Sequence, residues 1–198
     1  CWGGNSSGQL GDGTFTARTN PTQVQSGGTW LSVGAGWFHT CGVKSNGSLL
    51  CWGDNIMGET GFGAWSYDLN PVQVGVGTVW NKVNAGSSFT CGIDGNDSLY
   101  CWGANSNGRT GFNTNANNTS TATGISGGGQ WSLIAAGDQH SCGITKSGTL
   151  KCWGNNANGR TGLNTAAGEA LVPTAVSGGG TWISVSAGVS HTCGIQTS

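Results

Sequence analysis

The stretch that decides the fold is CGVKSNGSLLCWG, residues 41–53. Ser45-Asn46-Gly47 suits a three-residue hairpin loop, a type I turn closed by a residue in the left-handed conformation, which glycine adopts at no steric cost. In that register Val43 faces Leu49 and Cys41 faces Cys51. Facing residues of a non-hydrogen-bonded antiparallel pair lie roughly 4.5 Å apart at Cα, at the short end of what a disulfide spans. The loop therefore predicts a Cys41–Cys51 staple. Gly148 in TKSGT and Asp97 in GNDS take the place of Gly47, which extends the prediction to Cys142–Cys152 and Cys91–Cys101. Each bridge closes a ten-residue loop, worth about 3 kcal/mol in the chain-entropy account.

The hairpin recurs because the whole chain repeats. CWGxNxxGxxG starts at Cys1, Cys51, Cys101 and Cys152, in steps of 50, 50 and 51. AGxxxxCGI/V places cysteines at 41, 91, 142 and 193, in steps of 50, 51 and 51. A fixed period of this kind marks units that cannot bury their apolar faces alone. One domain, 1–198, is expected, with repeat boundaries near 1–50, 51–100, 101–151 and 152–198. Within a unit four short strands are read: Pro21–Gln25, Trp30–Gly36, His39–Val43 and Ser48–Gly53. Glycine and Asn/Asp clusters separate them, and no apolar pattern persists at helical period. The expected fold is all-β, a β-propeller of four-stranded blades with about four repeats of 50–51 residues. The last unit lacks the CWG strand that the first residues carry, so Cys1 is the natural partner of Cys193. Their pairing would close a four-bladed ring; without it the chain is part of a larger array, and the start at Cys1 suggests a processed or excised segment.

Composition removes several function classes. Net charge is −1, and the 7 basic residues form no cluster, so a phosphate-binding surface for nucleic acid is not expected. No apolar run approaches the roughly 20 residues of a membrane span. The 39 glycines point to many tight turns. Zinc is disfavoured because no CxxC spacing occurs and the cysteines spread evenly over the repeats. GDGT and CWGDN lack the remainder of a calcium loop. No cofactor is expected. Paired cysteines imply an oxidising compartment, hence an extracellular or cell-surface location. Sequons at Asn5, Asn46, Asn96, Asn117 and Asn118 agree with secretion.

CWGGNSSGQLGDGT, NPTQV and WLSVGAGWFHTCGVKSNGSLLCWG together resemble the repeat of the regulator of chromosome condensation (RCC1) family, which runs WG-N-x-x-G-Q-L-G-x-G, P-x-x-V, V-x-A-G-x-x-H-T. The resemblance covers all four units and implies a propeller of four-stranded blades, seven in the best-known members. Two departures stand out, the smaller number of repeats and the cysteine pair in each blade. The founding member's nucleotide exchange on a small GTPase, and its histone and DNA contacts, are not carried over, since no basic arm or inserted wedge is present. Secreted bacterial members, a β-lactamase inhibitor among them, look like a better analogy.

Candidate sites follow from what repeats and what does not. His39, His140 and His191 share one repeat position, with Phe89 in the second unit, and are read as structural or hydrogen-bonding. Trp2, Trp52, Trp102 and Trp153, with Trp30, Trp80, Trp131 and Trp182, are read as packing anchors between blades. Arg109 and Arg160, equivalent to Gln9 and Glu59, are read as solvated turn residues. Trp37 and Trp65 break the pattern. Trp37-Phe38 occupies a variable pair, Trp65 and Tyr67 lie in a variable loop, and Phe15 lies in the corresponding first loop; these five are the candidate contacts for a protein or carbohydrate ligand. The acidic residues, Asp12, Asp54, Glu59, Asp68, Asp94, Asp97, Asp138 and Glu169, show no spacing suited to acid/base work. GxSxG, HExxH and P-loop motifs are absent. The expectation is a non-catalytic recognition or scaffold module. Two alternatives are a subunit of a surface fibre or multimer, assembling with itself, and a polysaccharide hydrolase or lyase.

Overall fold

A computed structural model describes residues 1–63, 65–127 and 129–197. Three four-stranded antiparallel sheets follow one another in the chain. The first holds β1 (Trp30–Ala35), β2 (His39–Lys44), β3 (Leu49–Gly53) and β4 (Asp68–Val74). The second holds β5 (Trp80–Ala85), β6 (Phe89–Asp94), β7 (Leu99–Gly103) and β8 (Thr119–Gly124), and the third β9 (Trp131–Ala136), β10 (His140–Thr145), β11 (Leu150–Asn155) and β12 (Glu169–Ala175). A two-stranded sheet of β13 (Trp182–Ala187) and β14 (Thr192–Gln196) follows. These sheets have the strand order expected of propeller blades. The blades form no closed ring, and Cys1 and Cys193 carry free thiols rather than the bridge considered for them.

The hairpin reading holds at every position. Cys41 pairs with Cys51, Cys91 with Cys101 and Cys142 with Cys152, both in strand register and as disulfides with Cα atoms 4.1 Å apart. Gly47, Asp97 and Gly148 all take positive φ, at 81°, 62° and 81°.

One strand is corrected. Pro21–Gln25 does not open the first blade and forms no named strand; Arg18 bridges back to Gly3, and the Thr22 amide donates to the Cys1 carbonyl at 2.9 Å. Its counterpart in the next unit, β4, pairs with the preceding CWG strand β3. The P-x-x-V segment thus ends a blade, and the unit runs from one W-x-x-V strand to the next P-x-x-V strand. The physical reason is chain direction: β3 leaves through a long loop and returns antiparallel on its outer side, where its edge still needs a partner.

The core lies between blades. Val43, Leu49, Cys41, Cys51 and Val74 of the first blade meet Trp80, Val83 and Trp102 of the second in one buried cluster. Phe89, Ile93 and Leu99 meet Trp131, Ile134 and Trp153 in the next. Trp30–Trp52, Trp80–Trp102 and Trp131–Trp153 cross edge to face at 5.8, 5.9 and 5.8 Å. Trp2 departs from the anchor reading and is exposed. Near the axis a side chain would not fit: a Cβ on Gly86 would stand 2.5 Å from the Gly137 carbonyl oxygen of the following blade.

Candidate functional site

The alternation of strand direction divides the loops between two ends of the propeller. The β1–β2 turns (residues 36–38 in the first blade) and the β3–β4 loops (54–67) leave from one end. The β2–β3 hairpins and the β4–β5 connections leave from the other. All sequence-variable segments singled out above belong to the first end. Trp37 and Phe38 lie in the β1–β2 turn and Trp65 and Tyr67 in the β3–β4 loop. Phe15 lies in the 4–17 loop, the equivalent of a β3–β4 loop, since Gly3 and Arg18 bridge at its base.

All five rings are exposed, Trp37 at 59% and Trp65 at 55% being the most open of the tryptophans outside the N-terminus. They share an end without forming one cluster: among the described residues no ring–ring contact joins any of them. Trp37 borders a 220 Å³ depression at the axis, floored by Ala35-Gly36, Ala85-Gly86, Ala136-Gly137 and Ala187-Gly188. Its amide donates to the Ser87 carbonyl at 3.3 Å, and the Ser87 hydroxyl donates to the Asp138 carbonyl at 2.7 Å, so the turns rest on one another around the axis.

The loops that carry these rings are held from inside by asparagine. Asn5 Oδ1 accepts from the Leu10 amide at 3.0 Å while its Nδ2 donates to the Thr14 and Thr16 carbonyls at 2.8 and 3.1 Å. Asn105 and Asn156 bind their loops in the same way, through the Thr110 and Thr161 amides and the Thr114 and Thr165 carbonyls. Asn55 accepts from the Thr60 amide at 3.0 Å. A buried amide that meets both donor and acceptor needs fixes a loop where no sheet can.

Each loop is then locked onto the next blade through one carbonyl. The Gln9 carbonyl accepts from the Thr40 hydroxyl at 2.8 Å and the Trp52 indole at 2.9 Å. The Glu59 carbonyl accepts from Thr90 and Trp102, both at 2.8 Å. The Arg109 carbonyl accepts from Ser141 at 2.8 Å and the Arg160 carbonyl from Thr192 at 2.7 Å.

His39 and His140 extend this lock, in the hydrogen-bonding role read from the repetition. Thr90 spends its single proton on the Glu59 carbonyl, so it accepts from His39, whose Nε2 lies 2.8 Å away and must carry the hydrogen. His140 and Thr192 repeat the arrangement at 2.8 Å. Burial, which penalises the charged ring, lowers both pKa values to about 4. Among the described residues each Nδ1 has no partner. His191, by contrast, is exposed.

Two charged residues are placed differently from the sequence reading. Arg109 is not a solvated turn residue but buried: Nη1 donates to the Asp138 carbonyl at 3.2 Å, and the guanidinium lies 5.9 Å from the Phe89 ring centroid. Arg160 is half-buried and reaches the Val189 carbonyl at 3.1 Å. Glu59 is buried as well, its Oε2 accepting from the Met57 amide at 2.7 Å. Burial outweighs that bond and pushes its pKa up to about 7. The equivalence of Gln9, Glu59, Arg109 and Arg160 was the available signal, since a repeated position in a tight loop faces the neighbouring unit.

Asp12 is tied into its own loop. Asp12 makes an ion pair with Arg18 at 2.6 Å and accepts from the Thr14 hydroxyl; these contacts outweigh the opposing effect of burial and hold its pKa near 2. Among the described residues no three His, Cys, Asp or Glu side chains gather into a metal-binding group, and no helix is long and apolar enough to cross a membrane.

A β-propeller of four-stranded blades, each stapled by a cystine and presenting variable loops at one end, is the class defined by this geometry. The regulator of chromosome condensation (RCC1) repeat profile matches residues 1–43 and 147–195, and a second profile of that repeat matches 30–59, 80–109 and 131–160. The chain belongs to this family. Prp20p from Saccharomyces cerevisiae superposes on the whole chain with a TM-score of 0.87 at 18% identity, the match covering 51% of the yeast protein. Human WBSCR16 gives a TM-score of 0.65 at 18% identity over all of this chain and 67% of its own. The ectodomain of the receptor kinase CR4 from Physcomitrella patens gives 0.56 at 23% identity over 91% of this chain and 39% of its own. The chain thus spans about half the length of the yeast protein. These likenesses establish the fold. No curated protein matches the chain significantly by sequence.

Proposed function

We propose that the chain is a non-catalytic recognition module that works outside the cell and takes a protein ligand at the end carrying Trp37, Phe38, Trp65, Tyr67 and Phe15. The observation that carries the reading is the placement of these exposed, non-repeating aromatic residues at one end of a scaffold whose repeated tryptophans, Trp2 apart, are packed within and between blades. Exposed tryptophan and tyrosine are the side chains that most often anchor protein contacts. RCC1-repeat propellers are typically protein-interaction modules, and the yeast relative is described with binding properties to Gsp1p and histones. Support for the extracellular setting comes from the three disulfides, which persist where thiols are not kept reduced.

Selection of peptides from a random phage-displayed library against the immobilised chain tests the reading. Peptides that bind with at least tenfold loss on the Trp37→Ser/Trp65→Ser variant support it. Peptides whose binding ignores that variant, or a glycan array that binds while no peptide does, overturn it.

A further inference from the structure

The five sequons are unequal once folded, and the inequality follows the two ends of the propeller. Asn5 is buried and both polar atoms of its amide are spent on the 4–17 loop. A sugar on its Nδ2 would displace the bonds that build that loop. Asn117 and Asn118 stand in the 104–118 loop, at the aromatic end; Asn118 is engaged through Oδ1 with the Asn105 amide at 3.2 Å and through Nδ2 with the Met57 sulfur at 3.2 Å. Asn117 is exposed but sits at φ 62° between Ala116 and Asn118, both held by Asn105.

Asn46 and Asn96 differ from Asn5 and Asn118 in having an unengaged Nδ2, and from Asn117 in standing at the tip of a disulfide-held hairpin on the other end of the propeller. Both are exposed, at the tips of the β2–β3 and β6–β7 hairpins, on the end opposite the aromatic residues. Asn46 Oδ1 accepts from the Ser48 amide at 3.1 Å, so the sequon Asn46-Gly47-Ser48 is already folded on itself with Nδ2 directed away from that bond. Among the described residues neither Nδ2 has a protein partner. The disulfides Cys41–Cys51 and Cys91–Cys101 hold the two tips rigidly at the base. The third hairpin, with Lys146-Ser147-Gly148, has no asparagine at its tip.

We infer that Asn46 and Asn96 are N-glycan acceptors, and that glycans there cover the hairpin end while leaving the aromatic end free. The inference rests on the extracellular reading above. In the reaction Nδ2 bonds to C1 of an oligosaccharide carried on a polyprenyl diphosphate. The C1–oxygen bond breaks, the lipid diphosphate leaves with its electron pair, and one Nδ2 proton passes to a base of the transferase. The hydroxyl-bearing third residues, Ser48 and Ser98, complete the acceptor motif.

The test is expression of the 198-residue chain behind a secretion signal in insect cells, with peptide-N-glycosidase treatment and glycopeptide mapping of both retained and secreted material. The expected result is two glycans per chain, one of them lost in Asn46→Gln, one in Asn96→Gln and both in the double variant, with secretion and disulfides unchanged. Secreted, fully bridged chain bare at Asn46 and Asn96 overturns the inference, as does a glycan at Asn5 or Asn117 in folded material. Failure of the extracellular reading is read separately, from reduced cysteines in the protein isolated from its own cells, whereas occupancy in the secreted material reports on the asparagines alone.

Discussion

Replacing Glu59 by glutamine removes a buried carboxyl while keeping the acceptor that the Met57 amide uses. Gln9 shows that the amide fits, since its Oε1 accepts from the Ser7 amide at 2.9 Å in the equivalent loop. The pKa of Glu59 is raised from 4.5 to about 7, so the folded protein holds this proton more tightly than the unfolded chain does. A raised folded pKa contributes stability that is present below pH 4.5 and is lost as pH rises through 7. At about 1.4 kcal/mol per pKa unit, the loss between pH 5 and pH 8.5 amounts to about 2–3 kcal/mol. Glu59→Gln has no such loss. Urea unfolding at the two pH values, with the difference between variant and parent as the readout, isolates this effect because His39 and His140 are common to both proteins. The variant is expected to gain about 2–3 kcal/mol over the parent on going from pH 5 to pH 8.5. Parallel stability profiles would refute the reasoning and place the carboxyl in water.

Histidine burial acts in the opposite direction. With folded pKa values of about 4 against 6.5, His39 and His140 give stability that is present above pH 6.5 and is lost as pH falls towards 4, about 3 kcal/mol for each; urea titration of His39→Phe, which copies Phe89, should show a shallower acid limb. Thr90→Val leaves the Glu59 carbonyl and the His39 Nε2 without their shared hydroxyl and should cost about 2–3 kcal/mol by equilibrium unfolding, whereas Thr90→Ser should cost less than 1. Replacing both Cys91 and Cys101 by alanine should lower stability by about 2–4 kcal/mol while leaving the strand register in place by hydrogen exchange. Gly86→Ala drives a methyl group against the Gly137 carbonyl and should lower the thermal midpoint by several degrees in a calorimeter, through blade displacement at the axis.

The disulfides were readable because a three-residue loop fixes register locally, so Cys41 and Cys51 needed no knowledge of the rest of the fold. Pro21–Gln25 was misassigned because a period gives the length of a unit but not its phase. Whether that segment opens or closes a blade depends on pairing across a long loop, and no local residue signals it. Arg109 looked solvated because charge type is a guide to exposure only when the neighbourhood is local. Its surroundings are built by Ser87, 22 residues before it in its own blade, and by the Asp138 carbonyl, 29 residues after it in the next. The aromatic candidates were visible as departures from the repeat, yet their common end became visible only with strand direction.

The acceptor in each joint between blades is a main-chain oxygen, at Gln9, Glu59, Arg109 and Arg160. Amide, acid and guanidinium can therefore all stand there with the main-chain bond kept, although each side chain adds its own contacts. The rings beside it are not so free. His39 meets Thr90 and His140 meets Thr192, whereas the blade carrying Phe89 is followed by one carrying Ser141. Adjacent units thus carry matched labels, so a duplicated or transplanted blade inherits a universal hinge but also a preference for its neighbour. Order along such an array can be edited by exchanging two side chains, with the backbone joint reused unchanged.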